Sequence, residues 1–71
     1  MKKETAAEVL QTMIDCGARL NRSVQLVKDT SSEEEFRRYR SIVGGLMTDM
    51  LIGIMNPIIA DYPELKPKEM K

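Results

Sequence analysis

The chain of 71 residues contains no histidine and no tryptophan, one cysteine and only three other aromatic side chains. Without histidine it lacks the commonest general base and the commonest metal ligand. Cys16 has no second cysteine with which to form a disulfide within the chain, and a free thiol is typical of a reducing compartment. We therefore expect a protein that is not an enzyme and that has no cofactor or metal site.

Net charge is also absent, because eleven basic side chains balance eleven acidic ones. A chain with no net charge has no long-range attraction for nucleic acid or for anionic lipid. The first thirteen residues, MKKETAAEVLQTM, contain no continuous apolar run of the kind found in a signal peptide. We expect a cytoplasmic location.

A first helix is predicted over residues 5–28, since apolar residues recur there at steps of three and four. Thr5 and Glu8 have the spacing of a capping box, which places the helix start at Thr5. Cys16 falls in this stripe and is expected to be buried opposite Met47, where its thiol would react slowly. The stripe comprises Ala6, Val9, Met13, Cys16, Leu20, Val24 and Val27.

A second helix is predicted over residues 32–59, and the segment TSSEEE provides its start. Thr30, Ser31 and Ser32 are each followed three residues later by a glutamate, so three capping boxes overlap. Two ion pairs at i,i+4 spacing, Glu33–Arg37 and Glu34–Arg38, are expected to support the first turns. The apolar stripe of this helix comprises Phe36, Tyr39, Val43, Leu46, Met50, Ile54 and then Pro57 or Ile58.

The short connection between the two helices predicts an all-α, antiparallel two-helix hairpin, with Leu20 opposite Val43, in a single domain over residues 1–71. Pro57 is expected to end or kink the second helix, because it has no amide for the Gly53 carbonyl. Residues 60–71 contain two further prolines and no periodicity. We expect an extended C-terminal tail that docks, if it docks, through Tyr62 and Leu65.

Residues 42–59 are nearly apolar, yet they include three glycines, Asp49 and Pro57. The apolar residues favour membrane insertion by roughly 4 kcal/mol, and Asp49 alone opposes it by about 2.5 to 3.5 kcal/mol. A membrane span is therefore disfavoured, and a membrane-associated accessory protein is kept as a third alternative.

The same stretch predicts an oligomer interface, because its C-terminal half is apolar on sides that one partner helix cannot cover. Small residues four apart permit close approach of another backbone, although glycine is also tolerated in a helix that its neighbours hold. Asp49 either pairs with an arginine of a neighbouring chain, such as Arg19 or Arg22, or reaches water. The predicted interface of a homodimer that forms a four-helix bundle comprises Gly45, Asp49, Ile52, Gly53, Met55 and Ile59.

A basic cluster of Arg37, Arg38 and Arg40 supports an alternative function, an RNA- or DNA-binding regulator. The three preceding glutamates oppose this alternative, since they offset the positive charge. The preferred prediction is a small self-associating helical protein that acts through protein–protein interaction, as a structural or regulatory module.

The segment from Phe36 to Pro67 also resembles a group of short bacterial helical-hairpin proteins that end in a similar NPI…YPxLKP pattern. The matching elements are Tyr39-Arg40, Gly44, Asn56-Pro57-Ile58, Tyr62-Pro63 and Leu65-Lys66-Pro67. This resemblance covers less than half of the chain. It implies a bacterial cytoplasmic protein and no particular activity.

Overall fold

A computed structural model of the chain describes residues 1–67 and confirms the prediction of an all-α fold. Helix α1 spans Lys3–Thr30 and helix α2 spans Glu33–Met50. A π-helical segment, Leu51–Met55, joins α2 to helix α3, Asn56–Asp61, so that helical turns continue without a break from Glu33 to Asp61. A 3-10 turn over Pro63–Leu65 follows.

Helix α1 begins two residues earlier than predicted, and the prediction of a capping box at Thr5 is wrong. Lys2 is the N-cap residue, and no side chain caps this helix. The Ala6 amide donates to the Lys2 carbonyl at 2.8 Å, which already places Thr5 inside the helix. A contact remote in sequence holds this end, since the Tyr62 hydroxyl donates to the Met1 carbonyl at 2.6 Å.

Helix α2 begins where one of the three overlapping capping boxes predicts. The Ser32 hydroxyl accepts the Glu35 amide at 3.2 Å and donates to the Glu35 carboxylate at 3.1 Å. Both predicted ion pairs are present, with N–O distances of 2.7 Å for Arg37–Glu33 and 3.4 Å for Arg38–Glu34. All four side chains are exposed, so each pair stabilises the helix only modestly.

Helix α1 and the continuous run from Glu33 to Asp61 pack against each other in opposite directions. Ser23 and Tyr39 share a hydrogen bond of 2.7 Å between their hydroxyls. Near mid-length, a Cβ placed on Gly17 would lie 3.7 Å from the Met47 methyl carbon. The residue numbers of these pairs, and of Met1 with Tyr62, add to between 62 and 64, as expected for antiparallel helices.

Pro57 does not end the helix. The π-helical segment that precedes it keeps the backbone hydrogen-bonded up to Asn56. The Asn56 amide bonds to the Leu51 carbonyl, five residues back. This wider turn accommodates an extra residue and rotates everything after it relative to an uninterrupted α-helix. Ile58 is therefore buried at 5% exposure, whereas Ile54, predicted for the core stripe, is 38% exposed.

Two further members of the predicted stripes lie elsewhere. Cys16 is exposed, and Gly17 takes its place against Met47. Leu46 is 50% exposed, and its neighbour Met47 is half-buried. At both sites the residue that contacts the other helix is the one directly after the predicted stripe residue. One residue along a helix corresponds to a rotation of about 100° around its axis.

The main hydrophobic cluster lies at the open end of the molecule, which we define as the end where Met1 meets Tyr62. Ala6, Leu10 and Ile58 are its buried members. The predicted tail is not simply extended, because α3 continues to Asp61 and the following turn packs Leu65 against the cluster. The last four residues of that tail lie outside the described residues. The half-buried side chains around the cluster are Val9, Ile14, Met55, Ile59, Tyr62 and Leu65.

Candidate interaction surface

The molecule is a slab of 44 × 21 × 16 Å, and contacts between the helices distinguish its two broad faces. On one face Ser23 bonds to Tyr39, and a cavity of about 280 Å³ lies among residues that include Val27, Tyr39 and Ile42. Side chains spaced three, four or seven residues from these continue along the same face. We call this surface the Leu46 face and define it by Cys16, Leu20, Ile42, Leu46 and Ile54.

Glu35 and Arg38 line the cavity of the Leu46 face near the connection, and beyond them the face is apolar and open to solvent. Ile42 is 60% exposed and Leu46 is 50% exposed, Cys16 is exposed, and Leu20 is half-buried. Further along, Ile54 lines a second cavity of about 280 Å³ together with Gly53 and Pro57. Large exposed apolar side chains grouped on one side of a protein are typical of an interaction site.

The opposite broad face, which we call the Arg40 face, mixes polar and apolar side chains where it approaches the connection between α1 and α2. Its cavity there is lined by residues that include Asn21, Gln25, Lys28 and Arg40. Toward the open end this face carries an apolar cleft of about 610 Å³, whose polar side chain Gln11 donates to Asp15 at 2.9 Å. The cleft is lined by Ala7, Leu10, Gln11, Ile14, Met55, Leu65 and Pro67.

Four of the six predicted interface residues, Gly45, Asp49, Ile52 and Gly53, are exposed on the outer side of the second helix and beside the Leu46 face. No neighbouring atom lies within 4 Å of a Cβ built on either glycine, so packing within the chain does not require glycine there.

The other two predicted interface residues are engaged within the chain. Met55 and Ile59 are half-buried and pack against the cluster of Ala6, Leu10 and Ile58. The rotation that the π-helical segment introduces turns them toward α1. The sequence prediction included Ile42 in neither the apolar stripe nor the interface. Its spacing of four residues from Leu46 was the signal that the two side chains lie on the same side of the helix.

Asp49 forms no salt bridge with any other residue of the range 1–67. It lies three residues after Leu46 and four before Gly53, at the outer rim of the Leu46 face. Arg19 holds the matching rim position on α1, three residues after Cys16 and four before Ser23. The rim of this face thus carries a basic residue on one helix and an acidic residue on the other.

The structure does not bring the three arginines of the predicted nucleic-acid site together. Arg37 and Arg38 pair with glutamates on the same helix, as described above. Arg38 lines the cavity on the Leu46 face, whereas Arg40 lines the cavity on the Arg40 face. A nucleic-acid backbone following one face would therefore meet only part of this cluster.

The described part of the chain also bears on metal binding and on membrane insertion. No group of three or more cysteine, aspartate or glutamate side chains is arranged to hold a metal ion there. The helical run Glu33–Asp61 is long enough to cross a membrane, and its most apolar stretch of eighteen residues has a mean hydropathy of 1.6 with only 17% buried. The core helices of soluble proteins meet the same criterion of length and composition.

The fold and this surface define an all-α chain built mainly of two long packed helices, with large apolar side chains exposed on the Leu46 face. Comparison of the sequence and structure with protein-family models, curated proteins and solved structures finds no match.

Proposed function

We propose that this protein is a small non-enzymatic helical module that associates with itself, and that its biological role depends on protein–protein interaction. The observation that carries the proposal is the exposure of large apolar side chains on a chain with very little interior. Only Ala6, Leu10, Val43 and Ile58 are buried among residues 1–67, and no large side chain there is fully buried. Below about 80 residues a single core rarely supplies more than ~3–5 kcal/mol, and natural proteins of this size often add disulfides, a metal or oligomerisation.

Self-association is the supplement that this chain's composition allows. Its one cysteine precludes an internal disulfide. A net charge of zero means that two copies meet no overall electrostatic repulsion. We propose a homodimer in which two such helix pairs form a four-helix bundle, and we place it in a bacterial cytoplasm, where the exposed thiol of Cys16 would stay reduced.

Sedimentation equilibrium in the low micromolar range tests this proposal directly. We expect a mass near twice the 8.1 kDa of the chain, with dissociation on dilution. Helical content measured by circular dichroism over the same dilution series shows whether folding and association are coupled. A well-folded species that stays at 8.1 kDa throughout the range would refute the proposal.

A membrane-associated role is the second candidate, because the run Glu33–Asp61 is apolar enough to span a bilayer. Asp49, without a partner among the described residues, opposes insertion by about 2.5 to 3.5 kcal/mol at mid-helix. Flotation of the purified protein with neutral phosphatidylcholine vesicles separates the two candidates. We expect the protein to remain at the bottom of the gradient, and quantitative flotation would favour the membrane candidate.

A further inference from the structure

We propose that the second copy docks on the Leu46 face, with α1 of one chain lying against α2 of the other. This inference rests on the proposed self-association and specifies where it takes place. It differs from the sequence prediction, which centred the interface on the outer side of the second helix, at Gly45 and Ile52.

The area available favours a broad face over the outer side of one helix. The broad faces measure 44 by 21 Å, or about 900 Å² each, and a standard-size interface buries about 800 Å² per partner. A partner on the outer side of α2 would touch a single helix and would leave Cys16 and Leu20 exposed. A partner on the Leu46 face covers apolar side chains of both helices at once.

The Arg40 face is the poorer alternative for a second copy. Near the connection it presents Lys28 and Arg40, and two like-charged faces of this kind would oppose each other across a two-fold axis. Burial of this end would also take Asn21 and Gln25 out of water, which costs free energy unless new hydrogen bonds form. The Leu46 face also carries charge near the connection, at Glu35 and Arg38, but those two charges are of opposite sign. Beyond them, Ile42 and Leu46 are 60% and 50% exposed.

The charges at the rim of the Leu46 face favour a dimer in which α1 of one chain lies against α2 of the other, over one in which the two α1 helices meet. Because Gly17 lies opposite Met47, the level of Arg19 on α1 is close to that of Gly45, about one helical turn from Asp49. When α1 of one chain lies beside α2 of its partner, Arg19 of each chain comes within side-chain reach of Asp49 of the other. The two-fold axis makes this complementary contact twice.

Cys16 provides an internal reporter for the interface, because it is exposed in the single chain and would be covered in the dimer. A thiol reagent should therefore modify Cys16 rapidly in dilute protein and more slowly as the concentration rises above the dissociation constant. This readout uses the unaltered chain and does not depend on any variant folding.

A matched pair of isoleucines provides the second readout. Ile42, on the Leu46 face, and Ile52, on the outer side of the second helix, are 60% and 62% exposed. We expect Ile42→Glu to weaken dimerisation by about a hundredfold, because each dimer would bury two carboxylates, and Ile52→Glu to change it by less than about threefold. Sedimentation equilibrium measures both dissociation constants, and circular dichroism verifies the fold of each variant.

The outcomes separate this inference from the proposed function. A monomeric wild-type chain would refute self-association itself. A wild-type dimer in which Cys16 reacts equally fast at all concentrations would leave self-association standing and overturn the choice of face. An Ile52→Glu effect equal to or larger than that of Ile42→Glu would overturn it as well and would restore the outer side of the helix as the interface. If Ile42→Glu does not fold, the concentration dependence of Cys16 labelling decides.

Discussion

The two ends of the slab are held together in different ways. At the open end, three buried side chains, Ala6, Leu10 and Ile58, come from segments about fifty residues apart in the chain. At the opposite end, which we call the loop end, Ser31 and Ser32 connect α1 to α2, and Phe36 is only half-buried. Tertiary burial stabilises the open end, whereas a helix cap, short-range ion pairs and one hydroxyl pair stabilise the loop end.

This difference shows which interactions a short chain can form without a partner. The cap and the ion pairs at the loop end join residues three or four apart, so forming them costs little loop-closure entropy. The cluster at the open end forms only after the chain has reversed direction and the π-helical segment has set the orientation of Ile58. We therefore expect substitutions of buried side chains at the open end to have the largest effects.

The largest effect is expected for Ile58→Ala, which should lower the free energy of unfolding by about 3 kcal/mol through lost burial and a residual cavity. The matched control Ile52→Ala should change it by less than about 0.5 kcal/mol, because that side chain is 62% exposed. Urea unfolding followed by circular dichroism at one fixed protein concentration measures both. Similar losses for the two variants would mean that the π-helical segment does not direct Ile58 into the core.

An intermediate effect is expected at the loop end for Ser32→Ala, since loss of the N-cap typically costs about 1 kcal/mol. Ser31→Ala is the control, and it should cost less than about 0.5 kcal/mol because Ser32, not Ser31, caps α2. The same urea titration compares them. A larger loss for Ser31→Ala would show that a neighbouring capping box operates in solution.

The smallest effects are expected for two tyrosine hydroxyls, one at each end. Tyr39→Phe should cost about 0.5 kcal/mol, because the Ser23 hydroxyl that loses this partner also bonds to the Leu20 carbonyl at 2.7 Å. Tyr62→Phe should cost less, since the Met1 carbonyl it leaves is exposed to water.

Thermal unfolding of the two tyrosine variants, at equal concentration, ranks them. If Tyr62→Phe is the more damaging, the contact with Met1 contributes more to the open end than its exposure suggests. The open end would then be stabilised more strongly than the loop end by its hydrogen bond as well as by its buried side chains.

Much of the fold could be predicted from the sequence because it depends on local patterns. The three overlapping capping boxes restrict the start of α2 to residues 30–32, and the spacing of Glu33 with Arg37 places one of its first ion pairs. The all-α class follows from apolar residues that repeat every three or four positions. The candidate surface was less predictable, because Ile42 and Cys16 change roles when the contact between the helices shifts by one residue.

The sequence by itself determined the all-α class, a start of α2 within residues 30–32 and the surplus of apolar side chains over what one helix pair can bury. Each depends on the spacing of residues a few positions apart, because the position of a residue along a helix fixes the side of the helix on which its side chain lies. Only the tertiary structure decided that Gly17 rather than Cys16 faces Met47, and that Ile58 rather than Ile54 enters the core. Those choices depend on how two helices fit together and on a π-helical turn before Pro57, and each rotates a side chain by about 100° without changing the apolar pattern along the chain.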